Sequence, residues 1–499
     1  MKNNLLRLFA VWIFIFAFLN FPDYYAYQKT PPGHFFSGQA SYFDPWDINN
    51  YFALIRWGQN KGIWVENFYT TESHQPALIY FLYTLTGKLF PFANPVTLYY
   101  SLRAIASFIL IFAIWKAGLA FLKNRLDSFL ALLAISLGGG LGWLFGRNFF
   151  GADVLIGSFT FYEAFTKPHE AIALALFIVS LVSSYLSLLR LNWYLSLSGL
   201  LFLILAVLFY PYLIINYLVI LGLITLWLYL KKEQILILRL YLTNSLVASL
   251  VAVFYSLHLA KSGFSHLQQA SLPPSINILA IGYGWFLLGF LLNLLTLKEQ
   301  KDERIFLTIW FLSSLILIYL PFPFSRLFIK GLFFPLVILS LLAIREYFHD
   351  QRADFFNFLL AIAAMPSFIF ITALRIQEVK TFNPWYYQPI AVKQAFDFIK
   401  NQPNDGVLST YVLGNYLPYH TGKKVFLGHP NQTPDFQEKY LKAVYFYQSK
   451  FKNEEALNFL KDNSLSLIIL GEEEKKLGEP RYPFLKKIFA NEKIIVYQK

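Results

Sequence analysis

Apolar runs long enough to approach a bilayer span recur from residue 5 to about residue 374, and no other feature constrains this chain so tightly. A helix needs about 20 residues to cross the hydrocarbon core, where every backbone polar group must be satisfied internally. Candidate spans lie near 5–21, 97–121, 128–146, 171–189, 193–209, 212–230, 241–257, 277–297, 305–322, 327–344 and 355–374. Composition agrees, with 57% hydrophobic and 14% charged residues, against roughly 25% charged in ordinary soluble domains. The expected class is a polytopic α-helical membrane protein with about 11–13 transmembrane helices. With no cysteine in the chain, disulfides, thiolate metal sites and cysteine nucleophiles are excluded.

Charge sets the expected orientation. Lys123/Arg125, Arg190, Lys231/Lys232/Arg239, Lys298/Lys301/Arg304 and Arg345/Arg352 fall on alternate loops, on the side of the N-terminus. Basic loops stay on the cytoplasmic face, so the N-terminus is expected inside and the C-terminus outside, across a plasma (inner) membrane. The net charge of +13 then reflects retained cytoplasmic loops rather than a nucleic-acid partner. No small-residue cleavage site follows the first run, so it reads as an uncleaved helix. Segment 76–92 is awkward, because counting it as a full span inverts the parity of everything after it. It is read as re-entrant, or else as paired with a further span that restores parity.

Composition shifts after Arg375. Residues 376–499 carry 17 Lys and Arg and 13 Asp and Glu, about a quarter charged, which is soluble-domain composition. Helical and extended patterns alternate there, with VKQAFDFIK, EKYLKAVYFYQSKF and EEALNFLKD helical and GVLSTYVL, KKVFLG, SLSLIIL and KIIVYQK extended. The expectation is a transmembrane domain over 1–375, including a first external loop at 22–75, and a small external α/β soluble domain over 376–499.

The richest ionisable cluster is that first loop, DPWDINNYFALIRWGQNKGIWVENFYTTESHQP at 44–76. Its spacing Asp47-x-x-x-Tyr51, Gly62-x-Trp64, Glu72-x-His74-x-Pro76 resembles the first external loop of the GT-C membrane glycosyltransferases. That superfamily includes the lipid A aminoarabinose transferases and the protein O-mannosyltransferases. The resemblance covers about the first 175 residues; beyond them only the architecture matches, many spans followed by an external domain. It implies transfer of a sugar from a polyprenyl-phosphate donor to an acceptor (glycan, lipid or protein) on the external face, with membrane lipids as surroundings and no cofactor.

Such chemistry needs a carboxylate to deprotonate the acceptor, groups to hold the leaving phosphate and a cavity that excludes water. By resemblance the carboxylate is Asp47, at the start of an amphipathic helical stretch where the helix dipole favours its ionised form; the plain alternative is a helix N-cap. Asp44 and Glu72 are the second-carboxylate candidates, and Asp44 with Asp47 is where a divalent cation would bind if one is used. His74, Arg103, Lys167, His169 and Arg326 are expected at the donor phosphate. Arg103 is a candidate because intramembrane charge is costly, and the others because cations here run against the positive-inside trend or because His74 precedes Pro76. Their alternatives are a loop anchor for His74, headgroup snorkelling for Arg103 and a solvated turn around Lys167. Tyr51 and Glu170 are expected at the acceptor. Lys167, His169 and Arg103 are expected to converge on one phosphate, with Asp47 on the rim of the same cavity. In the tail, LGNYLPYHTGKKVFLGHPNQT holds His420 and His429 and reads first as a strand-turn-strand with core aromatics, the alternative being a sugar- or acceptor-facing surface of Tyr416, Tyr419 and the turn glycines.

Two departures stand out. The family's acidic pair is Asp47-Ile48 here, and the Trp-Trp-Asp signature of oligosaccharyltransferases is absent. A lipid-linked sugar transporter or flippase and a non-catalytic GT-C-like subunit are the rival classes. No P-loop, Gly-x-Gly-x-x-Gly before a helix, or His-Glu-x-x-His occurs, so nucleotide-driven chemistry has no motif.

Overall fold

The structure, a computed structural model, describes residues 2–42, 44–148, 153, 159–264, 272–295, 301–403 and 406–499. Lys298 and parts of the loops 147–170 and 258–276 lie outside the described residues. The chain divides into two compact units. One comprises Met1–Asn20, Ser101–Leu257 and Ala270–Leu374; the other comprises Phe21–Tyr100, His258–Gln269 and Arg375–Lys499.

In the first unit and its flanks, eight helices among the described residues are long and apolar enough to cross a membrane: Leu5–Gln28, Pro95–Phe121, Arg125–Phe145, Pro168–Arg190, Leu213–Lys232, Ile235–Ala260, Ser325–Tyr347 and Asp350–Lys380. Counting the bent pair Ile276–Tyr283 and Trp285–Leu295 as one span makes nine. That is fewer than the sequence suggested, for identifiable reasons. The apolar run at 193–209 forms a 17-residue helix, and the run at 305–322 falls in a 17-residue helix with Asp302 and Glu303 in its first turn. The run at 277–297 is bent by 94° at Gly284, which has φ +44. The backbone at the bend is met by Gly140, where a Cβ would sit 2.3 Å from the Ile281 carbonyl, so glycine permits the close approach.

Helix contacts in this unit use small polar residues and stacked rings. Ser180 donates to the Gly199 carbonyl at 2.9 Å, and a Cβ at Gly199 would collide with Ser184. Small residues let helix backbones approach where lipid supplies no hydrophobic drive. Tyr185 stacks on Phe306 at 4.2 Å, and Trp310 stacks on Phe334 at 5.4 Å. Arg345, in the last turn of helix Phe333–Tyr347, is held by Asp127 and Asp354.

The second unit is built on a five-stranded mixed sheet of β3 (Gly406–Leu408), β4 (Lys424–Val425), β5 (Leu467–Leu470), β6 (Lys486–Ala490) and β7 (Ile495–Gln498). Strand order is β4-β3-β5-β7-β6, parallel across β4-β3-β5 and antiparallel across β5-β7-β6. All four residues of β5 are buried, as expected of a strand covered on both faces. Helices Ile390–Lys400, Phe436–Tyr447 and Asn453–Asp462 form where the sequence pattern placed them. The stretch after β3 differs. Tyr411–Thr421 is a helix ended by Gly422 at φ +74, where a strand-turn-strand was expected. The helix is buried continuously from Val412 to Pro418, so no amphipathic period marks it in the sequence, and the left-handed glycine is a regular helix stop.

The first loop is part of this second unit, not of the membrane helices. Strand β1 (His34–Phe36) pairs antiparallel with β2 (Tyr387–Pro389). Segment 76–92 neither spans nor re-enters as a long helix; it folds as the nine-residue helix Phe81–Leu89 against Pro45–Asn60. Two glycines set that contact, since a Cβ on Gly58 would lie 2.0 Å from the Thr84 carbonyl and one on Gly87 2.0 Å from that of Ile55.

Candidate active site

Asp47 occupies the first turn of helix Pro45–Asn60, behind Asp44 at the N-cap position and Pro45 at N1. Proline is preorganised for that place, and the dipole end favours an ionised carboxylate. The Asp44 side chain makes no capping bond, and the N-cap position is Asp44's rather than Asp47's. Asp47 instead turns to the tail: its Oδ1 lies 2.8 Å from His429 Nε2. The two side chains are 21% and 2% exposed, so the imidazole is sealed while the carboxylate keeps access to solvent.

Tyrosines frame the carboxylate. Tyr51, one turn along the helix, points its hydroxyl at Asp47 Oδ2 from 3.5 Å. Its ring stacks on Tyr83 at 4.6 Å and lies 6.2 Å from Tyr99. Tyr69 packs 5.3 Å from the His429 ring. Burial, reinforced by the Asp47 charge, pushes the Tyr51 and Tyr69 phenols well above their ordinary value. Both stay protonated and offer O–H groups rather than phenolates. The helix start is tied to helix Tyr411–Thr421, because Asn49 donates to Asn415 at 2.8 Å and Asn415 donates to the Trp46 carbonyl at 3.3 Å.

The remaining loop residues serve the loop itself. Glu72 pairs with Lys439 at 2.6 Å. His74 accepts from the Asn67 N–H through Nε2 at 2.7 Å and meets the Glu72 carbonyl through Nδ1 at 2.8 Å. Burial lowers its pKa, and both ring nitrogens are engaged by the loop's own backbone, which is the loop-anchor alternative to a donor or cation at the phosphate. Asn67 in turn donates to the Gln432 carbonyl at 2.7 Å, which joins this turn to the segment carrying His429. As for a divalent cation, among the described residues no three His, Asp or Glu side chains gather into a ligand set.

The first unit holds the other cluster. At the start of helix Pro168–Arg190, Lys167 pairs with Glu163 at 2.8 Å. Glu170 is drawn into an ion pair with Lys330 and accepts from the Tyr210 hydroxyl at 2.5 Å. Lys330 lies 4.4 Å above the Tyr210 ring, and His169 packs 6.1 Å from the same ring. Glu170 therefore neutralises a buried lysine, a different job from the acceptor contact expected. Arg103, 4% exposed, reaches the Phe165 carbonyl at 3.4 Å. Arg326 sits on the short 3-10 turn Ser325–Ile329 that leads to Lys330. Both His429 and Lys330 were missed as site partners. The pair Asp47–His429 spans 382 positions, and no local spacing reports it. Lys330 did carry a signal, being a cation in a segment expected on the side where few are found.

No family profile matches the chain, and no curated protein does either. Solved structures do. The archaeal oligosaccharyltransferase AglB from Archaeoglobus fulgidus, in complex with an inhibitory peptide and a dolichol-phosphate, aligns with TM-score 0.54 at 13% identity, over 93% of this chain and 70% of that one. Its apo form aligns with TM-score 0.56 at 12% identity, over 94% and 71%. ArnT from Cupriavidus metallidurans bound to undecaprenyl phosphate aligns with TM-score 0.52 at 11% identity, over 100% and 98%. The fold is that of the GT-C membrane glycosyltransferases. At such identities the likeness establishes architecture, and with its apolar helices the chain is a multi-pass membrane protein.

Proposed function

We propose that this GT-C protein is a glycosyltransferase that moves a sugar from a polyprenyl-phosphate donor to an acceptor hydroxyl, with inversion, at the external face of the membrane. Asp47 takes the proton of the acceptor hydroxyl. The acceptor oxygen then bonds to the anomeric carbon as the bond from that carbon to the phosphate oxygen breaks. The phosphate leaves on its lipid. Lys167, His169, Arg103 and Arg326 are assigned to the donor phosphate, whose charge grows as it departs. The observation that carries the reading is a carboxylate at the dipole end of the first-loop helix, buried phenols around it, in a GT-C fold. The lipid phosphates bound by the AglB and ArnT structures support the donor class. A flippase would also use the broken helix at Gly284, and the assay separates the two.

The test is transfer in membrane fractions supplied with radiolabelled polyprenyl-phosphate sugars. Asp47→Asn keeps size and polarity but removes basicity, and loss of a general base costs about 10²–10⁴ in rate. The Asn variant is expected to insert and bind donor normally, whereas Lys167→Ala or Arg103→Ala weakens donor binding. Full transfer by Asp47→Asn would overturn the assignment. Donor translocation without transfer would favour the flippase.

A further inference from the structure

We infer that His429, contributed by the tail, is a positioning residue that holds Asp47 through its Nε2–H; this rests on the transferase reading above only for its kinetic consequence. Three sets of contacts lead there. The Nδ1 of His429 accepts from the backbone N–H groups of Asn431 at 3.2 Å and Gln432 at 3.3 Å. An imidazole nitrogen receiving two amide protons carries none of its own, so the ring proton is on Nε2. Nε2 lies 2.8 Å from Asp47 Oδ1, and the bond runs from imidazole to carboxylate.

The segment bearing the ring is itself held. Thr433 Oγ1 accepts from the N–H groups of Gly428 and His429 at 3.2 and 3.3 Å, and the Thr433 N–H returns to the His429 carbonyl at 2.9 Å. A Cβ at Gly428 would lie 2.4 Å from the Gly414 carbonyl, so this turn sits directly on helix Tyr411–Thr421. The same helix supplies Asn415, which grips the start of the Asp47 helix. Carboxylate and imidazole are thus indexed to one element, the imidazole through the backbone packing of Gly428 on Gly414 and the carboxylate through the buried Asn415 side chain.

The chemical consequence is orientation without proton relay. A carboxylate that accepts a neutral N–H keeps its charge and loses rotational freedom about its last torsion. When the acceptor proton moves to Asp47, His429 retains its own, because the two amides block Nδ1. Removing such an orienter leaves binding intact and lowers the chemical step, since a misplacement of about 1 Å costs about 10²-fold.

The experiment uses the full-length protein in membranes, with nitrogen-15 in its eight histidines. Magic-angle-spinning spectra are expected to contain a ring signal with Nε2 protonated and Nδ1 bare that is lost in His429→Gln and shifted in Asp47→Asn. His74, with Nδ1 at a carbonyl and Nε2 accepting an amide, gives the opposite tautomer as an internal contrast. In the transfer assay His429→Ala is expected to lower kcat about 10²-fold with donor KM unchanged, and His429→Gln, which keeps an N–H donor, to recover most of it. Thermal unfolding of each variant separates loss of fold from loss of position. A doubly protonated ring, a spectrum indifferent to Asp47→Asn, or wild-type kcat in a folded His429→Ala would overturn the inference. If the pair is seen but the wild type transfers no sugar, the pairing stands and the transferase reading falls.

Discussion

Residue by residue, ionisable groups in this chain differ mainly in whether something nearby accepts their charge. His429 and His420 show the contrast within one tail. His429 spends both ring nitrogens on polar partners, while His420 is wedged among Phe35, Phe396 and Tyr419. Burial first, then the charges of Arg56 and Lys393, lower the His420 pKa to about 3 from 6.5. The sign follows directly. The folded state resists the proton that the unfolded chain takes up near pH 6.5, so stability present above that pH is lost as pH falls toward 3. We predict that the unfolding temperature of the detergent-solubilised protein drops between pH 7 and pH 4, and that His420→Gln flattens the drop. Equal slopes for the two proteins would show that His420 is not the acid-sensitive group.

At the scale of elements, position is set by backbone contact between helices that sequence periodicity treats as separate. Helix Phe81–Leu89 lies on Pro45–Asn60 because Gly58 and Gly87 each admit a carbonyl where a Cβ would be 2.0 Å away. Gly58→Ala or Gly87→Ala must push the two helices apart, and overpacking of this kind costs about 1–3 kcal/mol. Transfer activity should fall with it, because Asp47 rides on the displaced helix. Gly118→Ala is the control, since among the described residues nothing beyond its own stretch of helix lies within 4 Å of its added methyl and alanine favours the helix. Thermal unfolding of the three variants checks the order; a neutral Gly58→Ala would mean that the contact is slack.

For the whole molecule the open quantity is orientation. By the positive-inside trend the basic loops lead us to expect the N-terminus inside and the tail outside. A chain without cysteine allows a clean measurement. Lys461→Cys, on the exposed end of helix Asn453–Asp462, is expected to react with an impermeant maleimide in intact right-side-out vesicles. Lys231→Cys, in the basic last turn of helix Leu213–Lys232 and also exposed, is expected to react only after permeabilisation or in inverted vesicles. The reverse pattern would put the tail inside and end the external active site.

What the sequence determined by itself was whatever local pattern encodes. Apolar length marked the membrane helices, charged composition marked the tail, helical period placed Ile390–Lys400 and Asn453–Asp462, and a short-range motif singled out Asp47. Tertiary structure decided the rest. It turned segment 76–92 into a short helix, bent the 277–297 run at Gly284, made Tyr411–Thr421 a helix and joined the first loop to the tail through β1 and β2. It also chose the partners: His429 for Asp47, Lys330 for Glu170, and the loop's own backbone for His74. The physical reason is one of range. Hydrophobic period and turn chemistry act over a few residues, whereas a hydrogen bond or ion pair is indifferent to the hundreds of residues that separate its ends and answers only to where packing has carried them.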